Sequence, residues 1–191
     1  MNLISFKFKG SRRYVHGTDM IEKVFQKVDD IDHFNIRIQK MTSNNLILKE
    51  EESESPVAKI DIKTHSGITR KFHYDESDEN VVGRYEYDEA EVVKKAVLDF
   101  DEESIQMNFN DKYSWVENIV ALHKRLLNEA ISNEVKWLFV GLELKSLEGL
   151  KKLSSDNVFT ISISKKLRLK LIQSNIYLDN ILIGQIKFSS I

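Results

Sequence analysis

The stretch Tyr14-Val15-His16-Gly17-Thr18-Asp19 holds the residue types best suited to proton-transfer chemistry. An imidazole gains and loses a proton near neutral pH, and a neighbouring glycine lets another molecule approach the backbone closely. Asp19 places a carboxylate in the first turn of the helix that the pattern predicts, where it complements the helix dipole. The same residues admit a plain structural reading, with His16 as a cap and Asp19 as an ordinary helix starter. A second carboxylate, Glu117, follows Ser114 at the spacing of a capping box, which alone explains its presence. Among the other histidines, His33 reads as a turn residue, His65 as part of a polar loop and His73 as a position on a charged strand. His123 falls on the apolar face of a helix, where a satisfied core residue is the ordinary outcome. No histidine pair has metal-ligand spacing, so no metal is expected. No phosphate-binding loop or G-x-S-x-G elbow occurs, and no cofactor is expected.

Composition narrows the classes further. The chain has 191 residues, 41% of them apolar, and its 28 Lys+Arg nearly balance 30 Asp+Glu. A net charge of −2 lacks the basic excess of a nucleic-acid binder, so no nucleic-acid partner is expected. Without cysteine there are no disulfides, thiolate zinc sites or thiol nucleophiles. No apolar run reaches the ~18 residues of a membrane span. Lys7 and Lys9 interrupt what would be the apolar part of a leader, and the expectation is a cytoplasmic globular protein. Acidic runs at 49–54 and 75–80 read as solvated loops. Lys165, Lys166, Arg168 and Lys170 read as a solvated strand face that could also meet phosphates.

The elements that must position these groups come in two sets. Gly83 and Gly184 lie 101 residues apart, and the same offset matches Ile4, Phe6 and Phe8 to Ile105, Met107 and Phe109. It also matches Ile60 and Ile62 to Ile161 and Ile163, while Phe34 and Ile36 match Trp137 and Phe139 after a two-residue slip. This predicts two copies of one unit, 1–89 and 102–191, joined by a linker at 90–101 into one compact pseudo-dimer. Each copy opens with an alternating strand, LISFKF or SIQMNF. A helix over 14–28 or 115–130 follows, and then strand-like runs. Hairpin turns are expected around Asp78–Asn80 and at Asp179-Asn180. Val24, Phe25, Ile119, Leu122 and Leu126 are the predicted helix core.

This order of elements resembles the hot-dog fold, and its duplication resembles a double hot dog. The helical stretches RRYVHGTDMIEKVF and KYSWVENIVALHKRL resemble the wrapped helix and its leading loop. The segment LKLIQSNIYLDNILIGQIKFSS resembles the last two strands. The resemblance implies an α+β fold of duplicated units, with long central helices wrapped by a shared antiparallel sheet. It also implies an enzyme acting on acyl thioesters of coenzyme A or acyl carrier protein, as a 3-hydroxyacyl dehydratase or a thioesterase. His16, Asp19 and Glu117 are then the catalytic candidates, and Gly17 and Thr18 the substrate-binding ones. The His-Phe-x-Gly-x-Pro loop of the dehydratases is absent here. The alternative is a non-catalytic protein that binds acyl groups or a partner with a degenerate site. Pseudo-dimers of this kind could assemble further into a homo-oligomer.

Overall fold

The opening run LISFKFK is divided between two sheets. A computed structural model describes residues 2–168 and 170–191, and packing separates two units, Met1–Asp88 and Glu89–Ile191. In the first unit β1 (Asn2–Ile4) pairs antiparallel with β4 (Asn44–Lys49). The Phe6 amide then leaves the ladder and donates to the Asn45 side-chain oxygen at 2.9 Å. Two residues later β2 (Phe8–Lys9) pairs in parallel with β7 (Arg84–Tyr85). Gly83, at φ +86°, takes the left-handed backbone that leads into β7, and its carbonyl accepts from the Phe8 amide at 3.1 Å. This switch of sheets reverses which face of the chain is buried. Phe6 and Lys9 are both inside.

The first helix, α1 (Gly17–Phe25), has nine residues. It cannot start at 14, because His16 keeps an extended backbone (φ −79°, ψ 140°) as its N-cap. It ends where the Lys27 and Val28 amides both turn back to the Val24 carbonyl, before Asp30 takes φ +61°. The antiparallel strands β3 (Ile31–Ile38), β4, β5 (Ala58–Thr64) and β6 (Thr69–Asn80) follow. Within this unit the order is β1-β4-β6-β5-β3. The acidic run 75–80, expected as a loop with a hairpin at Asp78–Asn80, is the end of β6. It tolerates strand geometry because cations neutralise it: Lys49 lies 3.0 Å from Asp75 and Lys40 lies 2.9 Å from Glu76. Both carboxyls are held below their ordinary range. Asp75 is lowered against its desolvation by hydrogen bonds from Ser53 and Lys49, and Glu76 by bonds from Thr42 and Lys40.

The second unit begins with α2 (Glu89–Val92), β8 (Val97–Asp99) and β9 (Ser104–Asn108). Its main helix α3 (Trp115–Ala130) opens on the Ser114–Glu117 capping box. β10 (Trp137–Leu144), β11 (Val158–Leu167), β12 (Leu171–Leu178) and β13 (Ile181–Ser190) complete it, in the order β10-β13-β12-β11-β9-β8. Asp179 and Asn180, at φ +50° and +67°, form the two-residue turn between β12 and β13. Gly184 lies inside β13, opposite Leu144, unlike Gly83, which precedes β7.

The expected α+β arrangement with long central helices is therefore overturned. Strand accounts for 44% of the structure and helix for 18%. Two causes are visible: the His16 cap shortens α1, and the acidic run 75–80 is strand rather than loop. Val24, Ile119, Leu122 and Leu126 are fully buried, whereas Phe25 is only half-buried with its ring 5.0 Å from that of Phe34. His123 is also fully buried. Its Nε2 meets the Ser174 hydroxyl at 2.8 Å and its ring stands edge-on to Phe188.

Two measurements check this packing. A Cβ on Gly184 would lie 2.1 Å from the Glu143 carbonyl oxygen, a backbone atom that cannot step aside. Gly184→Ala is expected to cost on the order of 1–3 kcal/mol or more in urea unfolding, as overpacking does. Burial pushes the folded-state pKa of His123 down to about 3 from the ordinary 6.5. The unfolded chain therefore binds a proton that the folded chain refuses. Stability present above pH 6.5 is lost as pH falls below it, by up to ~1.4 kcal/mol per pH unit. Urea midpoints between pH 7.5 and 5 should fall more steeply for the native chain than for His123→Leu/Ser174→Ala.

Candidate active site

The approach to α1 is fixed by the backbone. The Val15 amide donates to the Thr42 carbonyl at 2.8 Å, and the His16 carbonyl accepts from the Asp19 and Met20 amides at 3.1 and 3.2 Å. That geometry gathers His16, Gly17, Thr18 and Asp19 into a single turn, all of them buried. His16 Nδ1 lies 2.7 Å from Thr18 Oγ1 and 3.4 Å from the Thr18 backbone nitrogen. Thr18 Oγ1 is in turn 3.1 Å from Asp19 Oδ1.

Beneath this turn lies a lysine with no exposed surface. Lys9 Nζ donates to Thr18 Oγ1 at 2.9 Å and meets Asp19 Oδ1 at 3.3 Å. It sits 4.3 Å from the centroid of the Tyr87 ring, and the Tyr85 ring is 5.7 Å away. The Tyr85 hydroxyl closes the cluster, 2.8 and 2.9 Å from the two oxygens of Asp19. A buried ion pair survives only when further hydrogen bonds complete both charges, and Thr18 and Tyr85 provide them. Asp19 is consequently an acceptor on every contact described.

The second unit builds its helix start differently. Glu117 accepts through Oε2 from the Ser114 amide at 2.9 Å and from the Ser114 hydroxyl at 3.1 Å, so its carboxylate closes the capping box. Asn118 has no exposed surface. Its side-chain oxygen accepts from the Asn110 amide at 2.9 Å, and its amide nitrogen reaches the carbonyls of Asn110 and Ser114 at 3.1 and 2.9 Å. In the first unit side chains bond one another in a chain at the helix start. In the second, apart from the Ser114–Glu117 contact, the side chains bond backbone.

Lys9, Tyr85 and Tyr87 are the cluster members that the sequence did not single out. Strand alternation places Lys9 opposite Phe6 and Phe8, hence outside, and nothing local marks the change of sheet at residues 5–7. The basic residues Lys165, Lys166, Arg168 and Lys170 are all exposed, and Lys166 pairs with Glu103. Among the described residues no three His, Asp or Glu side chains gather as metal ligands would, and no helix is long and apolar enough to cross a membrane.

No protein-family model and no curated protein matches the chain. Solved structures do. A candidate thioesterase from Novosphingobium aromaticivorans aligns with 98% of this chain and 90% of its own length, at 9% identity and a TM-score of 0.52. The dehydratase domain of PpsC from Mycobacterium tuberculosis, solved with C12:1-CoA, aligns over 93% of this chain and 85% of its own at 7% identity and TM-score 0.49. A conserved protein of unknown function with a hot-dog fold from Alicyclobacillus acidocaldarius covers 94% and 88% at 5% identity and TM-score 0.47. At such identities the likeness speaks to fold alone, and on that point it is plain: this chain has the hot-dog fold.

Proposed function

We propose that the chain is an acyl-thioester enzyme of the hot-dog type that hydrolyses the thioester of an acyl-CoA or acyl carrier protein, with its working end at the start of α1. The observation that carries this reading is His16, buried at a helix N-terminus and engaged through Nδ1 by Thr18. A ring held in that way directs Nε2 to the chemistry. The fold likeness to a candidate thioesterase adds support. In the proposed step His16 Nε2 takes a proton from water as the water oxygen adds to the thioester carbonyl. The Gly17 amide, at the start of α1, faces the negative charge that develops on the carbonyl oxygen. The tetrahedral species then expels the thiolate, which receives the proton from His16, leaving a carboxylic acid and a thiol.

Dehydration of a 3-hydroxyacyl group is favoured less. It requires a second group able to give a proton to the leaving hydroxyl. Asp19 accepts hydrogen bonds from Tyr85, Thr18 and Lys9, and Glu117 accepts from Ser114 in its capping box. The same engagement of both carboxylates favours, as the second reading, a non-catalytic protein that binds acyl groups or a partner through this shell.

A panel of saturated and 3-hydroxyacyl thioesters of coenzyme A and acyl carrier protein distinguishes these readings, followed by free-thiol release and by loss of water in the mass spectrum. Thiol release is expected. His16→Asn keeps a side chain suited to the N-cap but removes the base, so it should cut turnover by about 10²–10⁴-fold with little change in melting temperature. Binding of the esters without thiol release or water loss would favour the second reading. Neither binding nor turnover with any ester would overturn both.

A further inference from the structure

We infer that Thr18 is the positioning residue of this site: it fixes the tautomer of His16, and the Lys9–Asp19 pair fixes the proton of Thr18. The inference rests on the proposed role of His16. A threonine hydroxyl has one proton and two lone pairs, yet Thr18 Oγ1 has three polar neighbours: Lys9 Nζ at 2.9 Å, Asp19 Oδ1 at 3.1 Å and His16 Nδ1 at 2.7 Å. Lys9 can only donate, so it occupies one lone pair. Asp19, ion-paired with Lys9 and bonded by Tyr85, can only accept, so the hydroxyl proton points to it. The second lone pair then faces His16 Nδ1, which must carry a hydrogen to make its 2.7 Å contact.

The opposite tautomer fails on magnitudes. Were the hydroxyl proton given to His16 Nδ1, Thr18 Oγ1 and Asp19 Oδ1 would face each other at 3.1 Å with lone pairs only, forfeiting a charge-assisted hydrogen bond. What it would keep is the contact from the Thr18 amide to Nδ1, at 3.4 Å outside the usual N–H donor range and between neutral groups. Charge-assisted bonds are about twice as strong as neutral ones. The hydrogen therefore sits on Nδ1, and Nε2 presents a lone pair, as a general base requires. Buried Lys9 orders Asp19, Asp19 orders the Thr18 hydroxyl, and the hydroxyl orders the ring.

The tautomer is read directly from the ring nitrogen shifts of ¹⁵N-histidine-labelled protein, at a pH above the ring's own titration. His16 is assigned by the signals missing from His16→Asn. The expected result is a protonated Nδ1 and an unprotonated Nε2 in the native chain, preserved in Thr18→Ser. In Thr18→Val the hydroxyl that accepts from Nδ1 is gone while the backbone amide still faces Nδ1, so the ring should shift to the Nε2-protonated form. In the thioester assay Thr18→Val should lower kcat by about 10²–10⁴-fold with KM little changed, since an imidazole in the wrong tautomer cannot serve as the general base. Thr18→Ser should restore it. A native ring protonated on Nε2 overturns the inference without any variant, as does a Thr18→Val protein whose tautomer is unchanged. Because the tautomer is read without substrate, absence of turnover on every ester would count against the proposed reaction and leave this result standing on its own.

Discussion

An ammonium group with no access to water constrains everything built around it. Lys9 has no exposed surface, and its charge is met by Asp19, the Thr18 hydroxyl and the face of Tyr87. Removing a charge from water costs several kcal/mol, recovered only if the partners are in place and are themselves completed. That requirement reaches outward. Asp19 must lie in the first turn of α1, so the helix must begin at Gly17, so His16 must be the cap. Tyr85 must reach Asp19, so β7 must lie beside β2, which Gly83 permits through its left-handed backbone. The helix start and the small β2–β7 ribbon are two consequences of one buried charge.

Much of the second unit was legible in its residues. The capping box at Ser114 and Glu117, the apolar stripe of α3 and the Asp179-Asn180 turn each follow from local rules, and local geometry obeys them. The first unit was less legible because its decisive contacts are non-local. Alternation in LISFKFK places Lys9 with the outward residues, but the chain changes sheets after Phe6 and reverses the sense of the pattern. The run 75–80 looks like a loop by charge alone. Its strand character depends on Lys40 and Lys49, more than 25 residues away. Strand β4 carries two asparagines, residues depleted in strands. Asn45 is there because its side chain holds the Phe6 amide where the ladder breaks.

The 101-residue offset shows the same division between local and non-local information. It matches Ile4 of β1 to Ile105 of β9, the strand before α3, and after its slip the strands that follow the helices, β3 and β10. Beyond that point it crosses strands of different rank. Ile60 and Ile62 lie in β5, the third strand after α1, while Ile161 and Ile163 lie in β11, the second after α3. The threading differs as well. In the first unit the last strand of the main sheet, β6, lies between β4 and β5, whereas in the second the last, β13, lies between β10 and β12. A spacing of apolar residues reports that strands are present and which face is buried. It does not report which neighbour each strand selects, since any inward-facing strand of suitable length satisfies the same pattern.

The two helix starts therefore represent different solutions to one problem. The first amides of a helix lack internal partners and must be met by something. In the second unit Ser114 meets the Glu117 amide, while Asn118 binds the neighbouring loop carbonyls, so the polar groups there bond to the chain itself. In the first unit the N-cap residue is His16, whose Nδ1 lies 2.7 Å from the Thr18 hydroxyl and 3.4 Å from the Thr18 amide nitrogen, and an imidazole has a second ring nitrogen that serine lacks. Asparagine or serine would cap α1 at least as well. Burying His16 over Thr18, and beneath Thr18 an ion pair that fixes the direction of its hydroxyl, brings no advantage to helix formation that a simpler cap would not bring. In the proposed reading the arrangement orders a proton acceptor at a helix N-terminus, and that asymmetry between the units is why we propose chemistry at the first helix and a structural role for the second.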